Sequence, residues 1–131
     1  MRRLVRALAI ALLILAAGCT ANSRSDTLTA TLNAYQSTLR WGDIRSAEQF
    51  VDPDYRAAHP LSAFDLARFG QVRVSEYDAG AGPVPVNEGE VRQSVVINLI
   101  NEHTQSERSI VDHQTWRWDA ATKHWWLTSG L

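Results

Sequence analysis

The sequence predicts an α+β domain, with three N-terminal helices, one long and two short, packed on a curved four-stranded antiparallel sheet. Three observations carry this. Apolar residues recur at helical spacing as far as Phe69, the period drops to two from Gln71, and from Glu90 three alternating segments follow one another across short turns. The 131 residues have room for one hydrophobic core, and a lone cysteine excludes any intramolecular disulfide.

The first helix is expected over Asp26–Trp41, where Leu28, Leu32, Tyr35 and Leu39 share one face among polar neighbours. Gly42 ends it, and Asp43 caps a short second helix that turns Ile44, Ala47 and Phe50-Val51 inward. Asp52-Pro53 closes that helix, because the residue before a proline is pushed out of the α region, and an irregular stretch follows. Ser62, with Asp65 three residues on, caps a third helix that carries Leu66 and Phe69.

The first strand starts near Gln71, with Val72, Val74 and Glu76 on one side and Arg73, Ser75 and Tyr77 on the other. Residues Ala79–Pro85 are expected to be a loop, since a central strand does not tolerate two prolines. Three strands then run over about Glu90–Glu102, Ser106–Trp118 and His124–Ser129, the last two joined by a turn at Asp119–Lys123. Setting Trp118 opposite His124 across that turn places Trp116 opposite Trp126, so the two indoles share a face as core aromatics or as the floor of a ligand pocket.

Ahead of this domain, Arg2, Arg3 and Arg6 precede the apolar run Ala7–Ala17, giving the basic and apolar regions of an export signal. The run is too short for a membrane span, which needs roughly 20 apolar residues. Leu15-Ala16-Ala17-Gly18-Cys19 resembles the bacterial lipobox, with Ala16 where leucine is commoner. That resemblance implies a signal peptide over residues 1–18, a diacylglyceryl and palmitate-type anchor on Cys19, and a short tether over 19–25 leading into a single domain over 26–131. It also implies lipid anchoring in the cell envelope, and Thr20 after the cysteine favours the outer membrane over the inner.

Removing the signal takes away three of the thirteen Lys/Arg and leaves ten against fourteen Asp/Glu, a net charge of −4. Nucleic acid needs clustered cations, and anionic lipid a polybasic patch; the sequence offers neither. The expected partners are therefore the membrane, through the N-terminal lipid, and an envelope protein or a small apolar ligand.

The order of elements, together with Tyr35-Gln36-Ser37-Thr38-Leu39-Arg40-Trp41-Gly42-Asp43, resembles the cone fold of nuclear transport factor 2-like proteins, among them ketosteroid isomerases and polyketide cyclases. The resemblance spans about Asp26–Leu131. In the isomerases a first-helix tyrosine, eight residues before the Gly-Asp acid, serves as an oxyanion donor, and Tyr35 stands in that relation to Asp43. The family's base position falls on Ala58, beside His59, and its second acid falls on Gln114, two residues beyond Asp112. Ala58 moves no proton, and an amide is a weaker donor than a protonated acid.

Tyr35, His59 and Asp112 are thus the candidate catalytic residues of an alternative isomerase, dehydratase or cyclase reading. His59, His103, His113 and His124 show no metal-ligand spacing, so no metal or cofactor is expected. Hydrolase and phosphate-loop motifs are also missing. The reading favoured is a non-catalytic ligand- or protein-binding module, with a structural subunit of an envelope assembly as a further alternative. A cone filled by Trp and Leu side chains would favour binding or assembly, and an open one an enzyme.

With Cys19 as the only lipid attachment point, Cys19→Ser is expected to release the protein from the membrane or to leave the precursor uncleaved. Membrane fractionation and the size of the processed chain check this.

Overall fold

A computed structural model of the chain describes the backbone of residues 2–131 and the side chains of residues 22–131. The lipobox and Cys19 lie outside the described side chains. Among the described residues, no helix is long and apolar enough to cross a membrane.

The first helix, α1, spans Arg2–Trp41, so residues 22–25, expected as tether, are helical and Asp26 is not the helix start. The cause is tertiary. Trp125 Nε1 donates to the Arg24 carbonyl at 3.1 Å, Arg24 Nη1 donates to the Glu88 carbonyl at 2.9 Å, and the Arg24 guanidinium lies 5.5 Å from the centre of the Trp118 ring. These contacts hold a polar stretch in the helix that apolar periodicity alone does not mark. Tyr35 and Leu39 enter the core, with Leu28 and Leu32 packed against it. At Gly42 the chain leaves the helix so tightly that a Cβ would stand 2.8 Å from the Thr38 carbonyl oxygen, which requires glycine there.

The expected second helix is a 3₁₀ helix over Ile44–Phe50, capped by Asp43, with Ile44 and Ala47 buried. Asp52-Pro53 begins a helix as well as ending one. Here α2 (Pro53–Ala58) replaces the expected irregular stretch, with Pro53 in the first turn, where its missing N–H costs nothing. Asp52 Oδ1 accepts from the N–H groups of Asp54 and Tyr55 at 3.0 and 3.1 Å, while Oδ2 takes the Arg117 guanidinium. The third α-helix, α3 (Ala63–Phe69), opens with a full Ser62/Asp65 capping box.

Helices thus precede a curled antiparallel sheet of β1 (Val72–Asp78), β2 (Val84–Asn87), β3 (Glu90–Asn101), β4 (Glu107–Asp119) and β5 (His124–Leu127). The main order is β1-β3-β4-β5, and β2 pairs with the first part of β3. That makes a fifth strand, which takes up Val84 and Pro85 at the end of the segment expected to be a loop. Its proline, Pro85, is tolerated because the strand is a short, fully exposed edge.

In β1 the register slips by one between Val74 and Glu76, a bulge at Ser75 that turns both Val74 and Tyr77 inward. Strict alternation had put Tyr77 with the outward Arg73. The β3–β4 ladder is regular over its whole length, from Glu90↔Arg117 to Ile100↔Glu107.

The β4–β5 pairing differs from expectation by one residue. Asp119 pairs with His124, which sets Trp118 opposite Trp125, Trp116 opposite Leu127 and Arg117 opposite Trp126. Asp119 sets this register, because its carboxylate accepts from the Ala121 N–H and the Thr122 hydroxyl, so the turn begins after it. A slip of one residue exchanges the faces of a strand. Trp125 and Leu127 are therefore buried, and Trp126 lies half-buried outside the core, stacked on His124.

Two outcomes follow. Trp116→Ala and Trp125→Ala should each cost about 3–5 kcal/mol, and Trp126→Ala about 1 kcal/mol or less, as measured by denaturant unfolding. Burial alone would raise the Asp52 carboxyl pKa, but the Tyr55 and Asp54 N–H groups and Arg117 outweigh burial and hold it below the ordinary carboxylate value. Its contribution to stability is therefore present above the unfolded pKa of about 3.9 and is lost as pH falls through the folded value. Asp52→Asn should be less stable than the parent at neutral pH, and the gap should close on acidification when unfolding is followed from pH 7 downward.

Candidate functional site

The concave face of the sheet, α1 and α3 enclose a cavity of about 500 Å3 that opens to solvent. Strand alternation builds its walls. Ile97 and Leu99 come from β3, Ile110 and Asp112 from β4, and Val72 and Val74 from β1. Leu39, Ile44 and Phe69 close the helical side. The charged side chains on the lining are Arg68, Arg108 and Asp112.

Below this cavity the cone is filled. Trp116, Tyr35, Gln114, Leu127 and Val95 are the largest fully buried side chains. Tyr35 makes edge contacts with Trp116 at 5.2 Å and Phe50 at 5.5 Å between ring centres. Gln114 is the polar centre of this floor. Its amide oxygen accepts from Gln93 Nε2 at 2.8 Å and from Trp116 Nε1 at 3.1 Å. Its amide nitrogen donates to Asp112 Oδ2 at 2.8 Å and to the Tyr77 hydroxyl at 3.2 Å. One amide thus satisfies three buried groups and the half-buried Asp112, which makes its loss costly.

Of the three candidate catalytic residues, Tyr35 and Asp112 line the same cavity and His59 does not. His59 sits at the end of α2, stacked on Tyr55 at 4.3 Å, and borders a separate depression with Pro60, Leu61 and Gly130. The displacement arises because α2 is a real helix whose last turn carries His59 outward. Burial, then the nearby Asp112 and Tyr77, raise the Tyr35 hydroxyl pKa well above its ordinary value. Burial likewise raises the Asp112 carboxyl pKa against the lowering effects of Gln114 and His113.

Trp116 forms part of the sealed floor, while Trp126 lies on neither the floor nor the cavity wall. His113 bonds Ser94 at 2.9 Å, and His103 and His124 are exposed. Among the described residues, no three His, Cys, Asp or Glu side chains are grouped to hold a metal ion. The sequence reading passed over Gln93, Arg68 and Arg108. Gln93 was visible as a polar residue on the inner, apolar parity of β3, and Arg108 as a cation on the inner parity of β4. Nothing in the pattern announced Arg68.

Compared with protein-family models, curated proteins and solved structures, the chain finds no match.

Replacing Gln114 by Leu should leave Gln93, Trp116 and Asp112 short of partners and cost about 2–4 kcal/mol in equilibrium unfolding. Asp112 behaves oppositely to Asp52. A carboxyl whose folded pKa is raised adds stability below the unfolded pKa and loses it as pH rises through the folded value. Asp112→Asn is therefore expected to be at least as stable as the parent at pH 8, with a flatter stability profile between pH 4 and 8, read by thermal melts across that range.

Proposed function

We propose that the protein is a cell-envelope lipoprotein, anchored through Cys19, whose cone of the nuclear transport factor 2-like kind binds a small, largely apolar ligand without changing it chemically. The observation that supports this most is the cavity itself. Its volume of about 500 Å3 falls in the usual range for small-molecule sites, and its wall is largely apolar, with Arg68, Gln71, Asn101, Ser106, Arg108 and Asp112 as its polar side chains. The filled lower cone favours binding or assembly and the open upper cone an enzyme. The mostly apolar wall, with no base placed beside Tyr35 and Asp112, tips the balance toward ligand binding.

An enzyme remains the second reading because Tyr35 and Asp112 share the cavity and burial raises the Asp112 proton affinity. Acid–base catalysis needs a base and a donor converging on one reacting atom. Asp112 already receives the Gln114 amide, His59 lies elsewhere, and Ala58 has no proton to move.

The experiment is native mass spectrometry of the protein extracted from envelopes, compared with Ile110→Trp, which fills the mouth of the cavity from a partly exposed position. A small molecule retained by the parent and lost from a folded Ile110→Trp variant is the expected result. Extraction of an apo protein crosslinked only to an envelope protein would replace this reading with assembly. Turnover of an enolisable substrate that collapses in Tyr35→Phe at unchanged melting temperature would replace it with catalysis.

A further inference from the structure

We propose that the ligand of the cone is an anionic amphiphile, a hydroxylated monocarboxylate of roughly fifteen heavy atoms. Its carboxylate is held at the mouth by Arg68 and Arg108, and its distal hydroxyl donates to Asp112. This rests on the ligand-binding reading given above and names the chemical class.

Charge at the mouth is the first support. The chain carries more acids than bases, yet two of the three charged side chains lining the cavity are arginines. Among the described residues, neither has an ion-pair partner within 4.0 Å. Arg68 rests near Phe64, 5.7 Å from the ring centre, and Asp65 is bonded to Ser62. Glu107, next to Arg108 in sequence, accepts from Ser75 on the other face of the sheet. Arg68 from α3 and Arg108 from β4 therefore line one cavity without a salt-bridge partner, although Asp65 lies near enough to Arg68 to feel its charge. A guanidinium matches a carboxylate in plane and in hydrogen-bond spacing.

The deep end is the second support, and it is independent of the first. Asp112 Oδ2 takes the Gln114 amide, which leaves Oδ1 to accept from the cavity side. Tyr35 brings a hydroxyl to the same wall. A ligand hydroxyl there has both an acceptor and a donor to meet. An all-apolar ligand would bury these groups without replacing their hydrogen bonds, at a cost.

Distance and volume set the size. Arg108, Ile110 and Asp112 lie on one face of β4, and four residues at about 3.3 Å each put the two polar ends roughly 13 Å apart along the wall. At about 30 Å3 for each water-sized atom, the cavity admits roughly fifteen heavy atoms. Between the ends the wall is Ile97, Leu99, Ile110 and Phe69, which suits a methylene chain.

The test uses the full chain in nanodiscs of zwitterionic lipid, photolabelled with diazirine analogues of dodecanoate and dodecanol and competed with ω-hydroxydodecanoate. Labelled residues are mapped by peptide mass spectrometry, and each dodecanoate yield is normalised to dodecanol. Labelling of the β3 and β4 wall is expected, with the normalised dodecanoate yield falling about tenfold in Arg68→Gln/Arg108→Gln. ω-Hydroxydodecanoate should compete several-fold better than dodecanoate, and that advantage should vanish in Asp112→Ala. If the double variant fails to fold, Arg108→Gln alone reads the same ratio.

Equal yields for dodecanoate and dodecanol, or a ratio unmoved by removing the arginines, would overturn the anionic ligand while leaving a binding cavity in place. Competition by phosphatidylglycerol nanodiscs and not by free ω-hydroxydodecanoate would also overturn it, assigning the arginines to a lipid headgroup. No labelling of the wall by any probe would overturn this proposal and the ligand-binding reading together.

Discussion

The fold depends on one buried amide. Gln114 joins β3 to β4 through Gln93, ties in β1 through the Tyr77 hydroxyl, and receives the Trp116 indole, all within hydrogen-bond distance. A leucine there would fill the same space and leave the neighbouring polar groups without partners. The amide therefore fixes the level at which the cone stops being core and becomes a cavity. Below it Trp116, Tyr35 and Leu127 exclude solvent, and above it Asp112, Ile110 and Arg108 face an open volume along the same strand. Structure and site share one ladder of side chains, and the boundary between them is a hydrogen-bond network.

The helical side is organised by contacts between parts distant in sequence. Asp52 caps α2 and takes Arg117 from β4, and its N–H donates to the Leu127 carbonyl at 2.9 Å. These bonds hold the short helices against the far edge of the sheet. At the other end, Trp125 and Trp118 grip α1 at Arg24. About three turns further along the helix, Tyr35 is placed at the cone's floor by its edge contacts with Phe50 and Trp116.

Much of this was legible in the sequence, and the failures have physical causes. The change of period at Gln71, the inner face of β3 and the helix caps at Asp43 and Ser62 can be read from residue spacing, because each is a local rule. The bulge at Ser75 cannot, since it leaves Val74 and Tyr77 three apart on one face and breaks the very alternation used to find the strand. The β5 register hinged on whether Asp119 belongs to strand or turn, and its side-chain bonds to Ala121 and Thr122 decide that. Tyr35 and Asp112, named from the sequence, line the cavity, whereas Arg68 went unnamed because a cation on a short amphipathic helix looks the same whether it faces solvent or the mouth of a cavity. His59 was misplaced because Asp52-Pro53 was read as an ending only.

The edge strand β2 has one further effect. A sheet edge is an open row of donors and acceptors on which another chain can template. Here β2 covers one side of β3 only at Glu90–Arg92, with a four-residue strand carrying Pro85, and Pro83 stands just before it. Proline supplies no amide hydrogen, so the covering strand is a poor template for a further one. This protects the edge against strand-by-strand polymerisation despite the exposed Val84 and Val86 on either side of Pro85.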